Sequence, residues 1–153
     1  MNVDLIGYGS SLSLGLGYWS TLFFLGEAFG WEPAGTLYPI NPQDSDLSYP
    51  DDDYAGPRGT YLGDEFNRVT DADAAAWVAA LNRALDAFGG KMTSEQAETV
   101  RKIVRGERPY GLCDDLDDLF PEEPPDMALV IPALAGLVRK FVELASRGGF
   151  LIW

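Results

Sequence analysis

Apolar positions recur along this chain in three stripes of helical period and one nearly unbroken apolar run. In residues 70–90, Ala74, Trp77, Val78, Leu81, Leu85 and Phe88 follow at steps of three and four, which puts them on one side of a helix. Thr70 with Asp73 reads as a capping box, Asp71 and Asp73 suit the positive end of the helix dipole, and Gly89 and Gly90 supply a stop. Thr93-Ser94-Glu95-Gln96 is a second capping box; it predicts a helix from about Ser94 with Ala97, Val100, Ile103 and Val104 inward, bounded by Gly106 and Pro109. A last helix is predicted from Ala128 or Pro132 to Arg147, with Leu134, Leu137, Val138, Phe141, Leu144 and Ala145 as its stripe, Pro132 in the first turn or at a kink, and Gly148 as its end. The run is residues 12–29. Polar and glycine positions (Ser13, Gly15, Gly17, Ser20, Thr21, Gly26, Glu27) interrupt it, and no basic residue flanks it. It therefore reads as a buried helix over residues 16–29, with Trp19, Leu22, Phe23 and Phe29 inward and a Schellman-type stop at Gly30, rather than as a membrane span.

Period-two patterning is weaker. Residues 59–62 and 66–69 predict a hairpin turning at Gly63-Asp64-Glu65, and Phe150-Leu151-Ile152-Trp153 predicts a terminal strand joined to it. Residues 2–13 are turn-like and receive no element. The resulting expectation is a mainly α protein: a small bundle of three to four helices with a short antiparallel β patch, from the hairpin near 60–69 plus the strand at 150–153. The whole forms one domain over residues 1–153, a length that buries roughly 70% of the unfolded surface. Two stretches stand outside this pattern. Residues 33–57 hold Pro33, Pro39, Pro42, Pro50 and Pro57, too many for helix or ladder, and residues 110–126 form an acidic connector with one short amphipathic turn at Leu116, Leu119 and Phe120.

Charge sharpens the functional reading. The chain carries 24 Asp and Glu against 11 Lys and Arg, a net charge of −13, and no histidine. Such a balance repels nucleic acid and anionic membranes and favours basic partners. Without histidine there is no Ser-His-Asp or Cys-His catalysis and no imidazole metal ligand. Cys113 is the one cysteine, and the carboxylates beside it in Leu112-Cys113-Asp114-Asp115 disfavour the thiolate, so it reads as inert. No Lys or Arg precedes Arg58, so no secretory signal is expected, and a cytoplasmic location fits. In the acidic residues 44–55, Tyr49 and Ala55 stand where an EF-hand loop needs Gly and Glu, so that motif fails.

Three stretches carry a resemblance: Gly30-Trp31-Glu32-Pro33-Ala34-Gly35-Thr36, Val69-Thr70-Asp71-Ala72-Asp73-Ala74 and Arg147-Gly148-Gly149-Phe150-Leu151-Ile152-Trp153. In these the chain resembles a group of small uncharacterised bacterial proteins, over about a fifth of its length. It departs from them at Gly63-Asp64-Glu65-Phe66, where Asn-Asp-Gly-Gln-like residues are usual. The resemblance implies a bacterial cytoplasmic protein and transfers no catalytic residue.

Two functions follow as expectations. The first is a soluble protein-binding or regulatory module, or an immunity-type inhibitor, meeting a basic protein partner. Its binding residues would be the loop aromatics Trp31, Tyr38 and Tyr54 and the acidic Asp114, Asp115, Asp117 and Asp118. The alternative is a carboxylate-based or divalent-metal enzyme built on the 44–65 loops, with Asp51, Asp52 and Asp53 as metal ligands alongside Asp64 and Glu65, and Arg58 or Arg68 as stabiliser. The reading leans against an enzyme. No catalytic residue is assigned, and no cofactor, nucleic acid or membrane partner is expected.

Overall fold

The computed structural model describes residues 2–37, 58–61, 67–106 and 126–153. Its main departure from expectation is at the N-terminus. Asn2–Gly7 (β1) and Ser10–Gly15 (β2) form an antiparallel hairpin, paired from Asn2 with Gly15 to Gly7 with Ser10. The turn is Tyr8-Gly9, and Gly9 takes φ +72°, a left-handed conformation that suits glycine. Leu16–Ala28 (α1) follows directly. After a loop come Thr36–Leu37 (β3), Arg58–Gly59 (β4) and Asn67–Val69 (β5), then Asp71–Asp86 (α2), Ser94–Val104 (α3), Met127–Ala145 (α4) and Phe150–Ile152 (β6).

The strands form one six-stranded sheet in the order β2-β1-β6-β5-β3-β4, with every pairing antiparallel. A sheet of this size overturns the mainly α reading: among the described residues the fold is α+β, four α-helices with an antiparallel sheet. The predicted hairpin is also corrected. β4 and β5 are not neighbours, because β3 lies between them and pairs with both. The C-terminal strand does form and does join β5, but it sits in the middle of the sheet, holding β1 on its other side. Because β6 pairs with β1 and β5, both far from it in sequence, the sheet closes through non-local contacts.

α1, α2 and α4 converge on the sheet face that carries Leu5, Val69, Phe150 and Ile152, all buried. The rings of Trp19, Trp77 and Phe141 lie 6.5, 6.2 and 5.5 Å from that of Phe150. Gly7 lets α4 press on β1, since a Cβ there would lie 3.1 Å from the Leu144 side chain. The helical stripes are those expected. Ala74, Trp77 and Leu81 are buried on α2, with Val78, Leu85 and Phe88 half-buried. Leu134, Val138, Phe141, Leu144 and Ala145 are buried on α4.

The helix ends follow their local chemistry. Gly30 takes φ +98°, and the Trp31 and Gly30 amides donate to the Gly26 and Glu27 carbonyls, completing a Schellman motif. Thr93 and Gln96 make a full capping box. α2 ends in a wide π turn, Ala87–Lys91, with Gly90 at φ +113°. Pro132 lies past the first turn of α4, whose start is capped instead by Asp126. Among the described residues no helix is long and apolar enough to cross a membrane.

Candidate interaction site

The first turn of α2 gathers the polar contacts of the core. Thr70 caps the helix, its hydroxyl accepting from the Asp73 amide at 3.2 Å. The carboxyl of Asp73 does not close the capping box. It turns inward, is 3% exposed, and accepts from the Trp31 indole N–H at 2.9 Å, the Ala34 amide at 3.3 Å and the Tyr61 hydroxyl. The Tyr61 oxygen accepts in turn from the Gly35 amide at 2.9 Å. One side chain thereby fixes the loop after α1 and Tyr61, two residues past β4, against α2. Two residues earlier, Asp71 stays on the surface and accepts from the Gly149 amide at 2.6 Å, fixing the entry to β6.

Aromatic rings fill the space beneath. Trp31 and Trp77 stack at 4.0 Å with 8° between planes, and Phe23 and Tyr61 meet that pair edge-on. Gly26 makes room, since a Cβ there would lie 2.5 Å from Trp77 Nε1 and 2.9 Å from Trp31. The indole N–H groups of Trp77 and Trp19 donate to the Leu22 and Tyr61 carbonyls, so each buried polar end is matched. Trp31 is therefore a core residue, 3% exposed, and not the exposed loop anchor expected of it. Asp73 is enclosed and fully engaged by the fold, so this arrangement holds structure together rather than presenting a reactive group.

An accessible concavity lies elsewhere among the described residues. α1 is apolar on two sides. Trp19, Leu22 and Leu25 point into the core, while Tyr18, Thr21 and Phe24 line a groove shared with Ile103 and Val104 of α3 and Val130, Ala133 and Leu137 of α4. Its volume is about 630 Å³. Tyr18 is 64% exposed, and Leu129, next to Val130 in the chain, is 73% exposed. Gly106, the residue before position 107, lines the groove, and so does Val130, four residues after Asp126. Burial raises the pKa of Glu27, on the same helix, above its ordinary value.

Of the other residues singled out in the sequence, Tyr38, Tyr54, Asp51, Asp52, Asp53, Asp64, Glu65, Asp114, Asp115, Asp117 and Asp118 lie outside the described residues, as do Cys113 and the amphipathic turn near Phe120. Arg68 is buried within β5. Among the described residues no group of three or more Asp, Glu, Cys or His is placed to hold a metal ion. What sequence reading missed is the groove. Its signal was the breadth of the apolar surface on α1, wider than one core-facing stripe requires. No protein-family model, no curated protein and no solved structure matches this chain.

Proposed function

We propose that this chain is a protein-binding module of the cytoplasm, a regulator or an immunity-type inhibitor, that receives a basic, amphipathic segment of its partner. The observation that carries the reading is the apolar groove beside Tyr18, lined by Gly106, which directly precedes the most carboxylate-rich stretch of the chain. The described residues hold ten Asp and Glu and ten Lys and Arg, so the net charge of −13 comes wholly from the rest of the sequence, chiefly residues 38–57 and 107–125. A partner segment with leucine-like residues on one side and lysine or arginine on the other would satisfy the groove and the carboxylates together. Opposite charge speeds such an encounter, and buried aromatic contacts slow its dissociation.

The test is capture of a partner at low salt by three proteins: the native chain, Tyr18→Asp, and a variant with Asp114, Asp115, Asp117 and Asp118 all changed to Asn. Tyr18→Asp is expected to abolish capture, and the fourfold neutral variant to weaken it at least tenfold. A partner held equally by all three, or no partner for the native chain, would contradict the reading.

A further inference from the structure

The open edge of the sheet at β2 points to a second copy of this chain. Asp4 exchanges both backbone hydrogen bonds with Trp153, at 2.9 and 2.8 Å, so its N–H and C=O face β6. Backbone polar groups alternate sides along an antiparallel strand. Those of Val3, Leu5 and Gly7 therefore face β2, where their partners are Leu14, Leu12 and Ser10. The N–H and C=O groups of Ser11 and Ser13 are left pointing outward, and among the described residues neither serine has a partner for them.

Edge strands are commonly protected by a charge, a proline or a bulge. β2, Ser10-Ser11-Leu12-Ser13-Leu14-Gly15, has no charge or proline and pairs with β1 in unbroken register. In a chain of net charge −13, an uncharged strip is where two copies can approach with least repulsion.

We propose that two copies pair antiparallel along β2, about a two-fold axis through Leu12, joining the two sheets into one. Ser11 then stands opposite Ser13 of the other copy, and Ser13 opposite its Ser11. Both outward-facing residues on each side are satisfied, with four main-chain hydrogen bonds in all. The same register sets Leu12 against its own equivalent in a close, non-hydrogen-bonded pair. It also turns the Tyr8 end of one copy's β2 toward the Leu16 end of the other's, twice over. Tyr8 and Leu16 are each 38% exposed and flank the two ends of β2, so the strip is complementary to itself, as an isologous contact requires. The contact is small, so dissociation on the order of micromolar is expected. It does not depend on the partner reading above.

Sedimentation of the native chain from about 1 to several hundred micromolar should show the mass doubling. The midpoint should fall as salt is raised, because screening relieves repulsion between two acidic molecules. Ser13→Pro removes an outward N–H that β1 does not use and should give a monomer at every concentration, with its circular dichroism retained. Independently, with Cys113→Ser as background, Leu12→Cys should cross-link to its equivalent on oxidation, since the opposed Cα atoms lie about 4.5 Å apart. Ser11→Cys, facing a serine, should not. A native chain that stays monomeric, a dimer unchanged by Ser13→Pro, or cross-linking through Ser11→Cys in place of Leu12→Cys would overturn the proposal.

Discussion

Two regions of this molecule handle polar groups in opposite ways. At the start of α2, Asp73, Tyr61 and the indole of Trp31 are buried, and every one has a hydrogen-bond partner. Along β2, Ser11 and Ser13 leave main-chain groups open, and at the start of α1 Tyr18 exposes most of its ring. The first region is over-determined: a single carboxyl group ties together segments 39 and 12 residues away in sequence. The second is left incomplete. Closed polar networks fix a fold, whereas open edges and uncovered apolar grooves are where other molecules dock. Substitutions in the first region should therefore change stability, and those in the second should change association.

The contrast can be tested from the largest effect downward. Asp73→Ala would strand two buried donors, the Trp31 indole and the Tyr61 hydroxyl, each costing about 1–3 kcal/mol if left unpaired, and would free the part-buried Ala34 amide. Allowing for partial relaxation, a loss of about 3–5 kcal/mol is expected, a large part of the stability of a domain this size, read from the urea midpoint. Gly149→Ala would place a Cβ 2.3 Å from the Val69 carbonyl oxygen, a backbone atom that cannot swing aside. Gly26→Ala meets only the Trp77 and Trp31 rings, at 2.5 Å and beyond. Overpacking typically costs about 1–3 kcal/mol, so Gly149→Ala should lie at or above the top of that range and Gly26→Ala within it. Parallel thermal melts will rank the pair.

The two threonine caps make a finer comparison. Thr70 is buried beside the Asp73 network, whereas Thr93 is exposed at the start of α3. Replacement of each by Ala removes one cap bond, and the expected losses are about 1–2 kcal/mol at Thr70 and about 0.5–1 kcal/mol at Thr93. Equal losses would mean that Thr70 acts only as a local cap.

The smallest effect is a pH dependence at Glu27. Burial raises its folded pKa above the ordinary 4.5, so the folded state holds this proton more tightly than the unfolded chain. Stability from this group is present below the unfolded value and is lost as pH rises through the folded one. Glu27→Gln should flatten the native chain's slope at pH values just above the ordinary 4.5 without shifting it elsewhere. An unchanged slope would remove Glu27 from the account.

How much of this was legible in the sequence depended on whether the signal was local. The helical stripes, the cap at Thr93 and the stop at Gly30 each depend on residues within one or two turns, and their patterns were readable. The β1–β2 hairpin was not read, although Ser11-Leu12-Ser13-Leu14 alternates, because serine and glycine are poor strand formers and the sheet forms through β6 at the far end of the chain. The hairpin near 60–69 was misread for the same reason: β3 separates its two halves, and no nearby residue announces β3. Asp73 carried a cap signal that its backbone amide fulfils, but its side chain is claimed by Trp31 and Tyr61. Trp31 looked like a loop anchor because its neighbours are Gly, Glu and Pro, and only tertiary packing shows Trp77 lying flat against it.

Asp73 acts as a shared acceptor joining α2 to the loop after α1. A double-mutant cycle of Asp73→Ala with Trp31→Phe, followed by urea unfolding, tests it most directly. If the indole N–H is matched only by Asp73, Trp31→Phe should cost clearly less in the Asp73→Ala background, with a coupling energy of about 1–2 kcal/mol. Additive losses would contradict the claim.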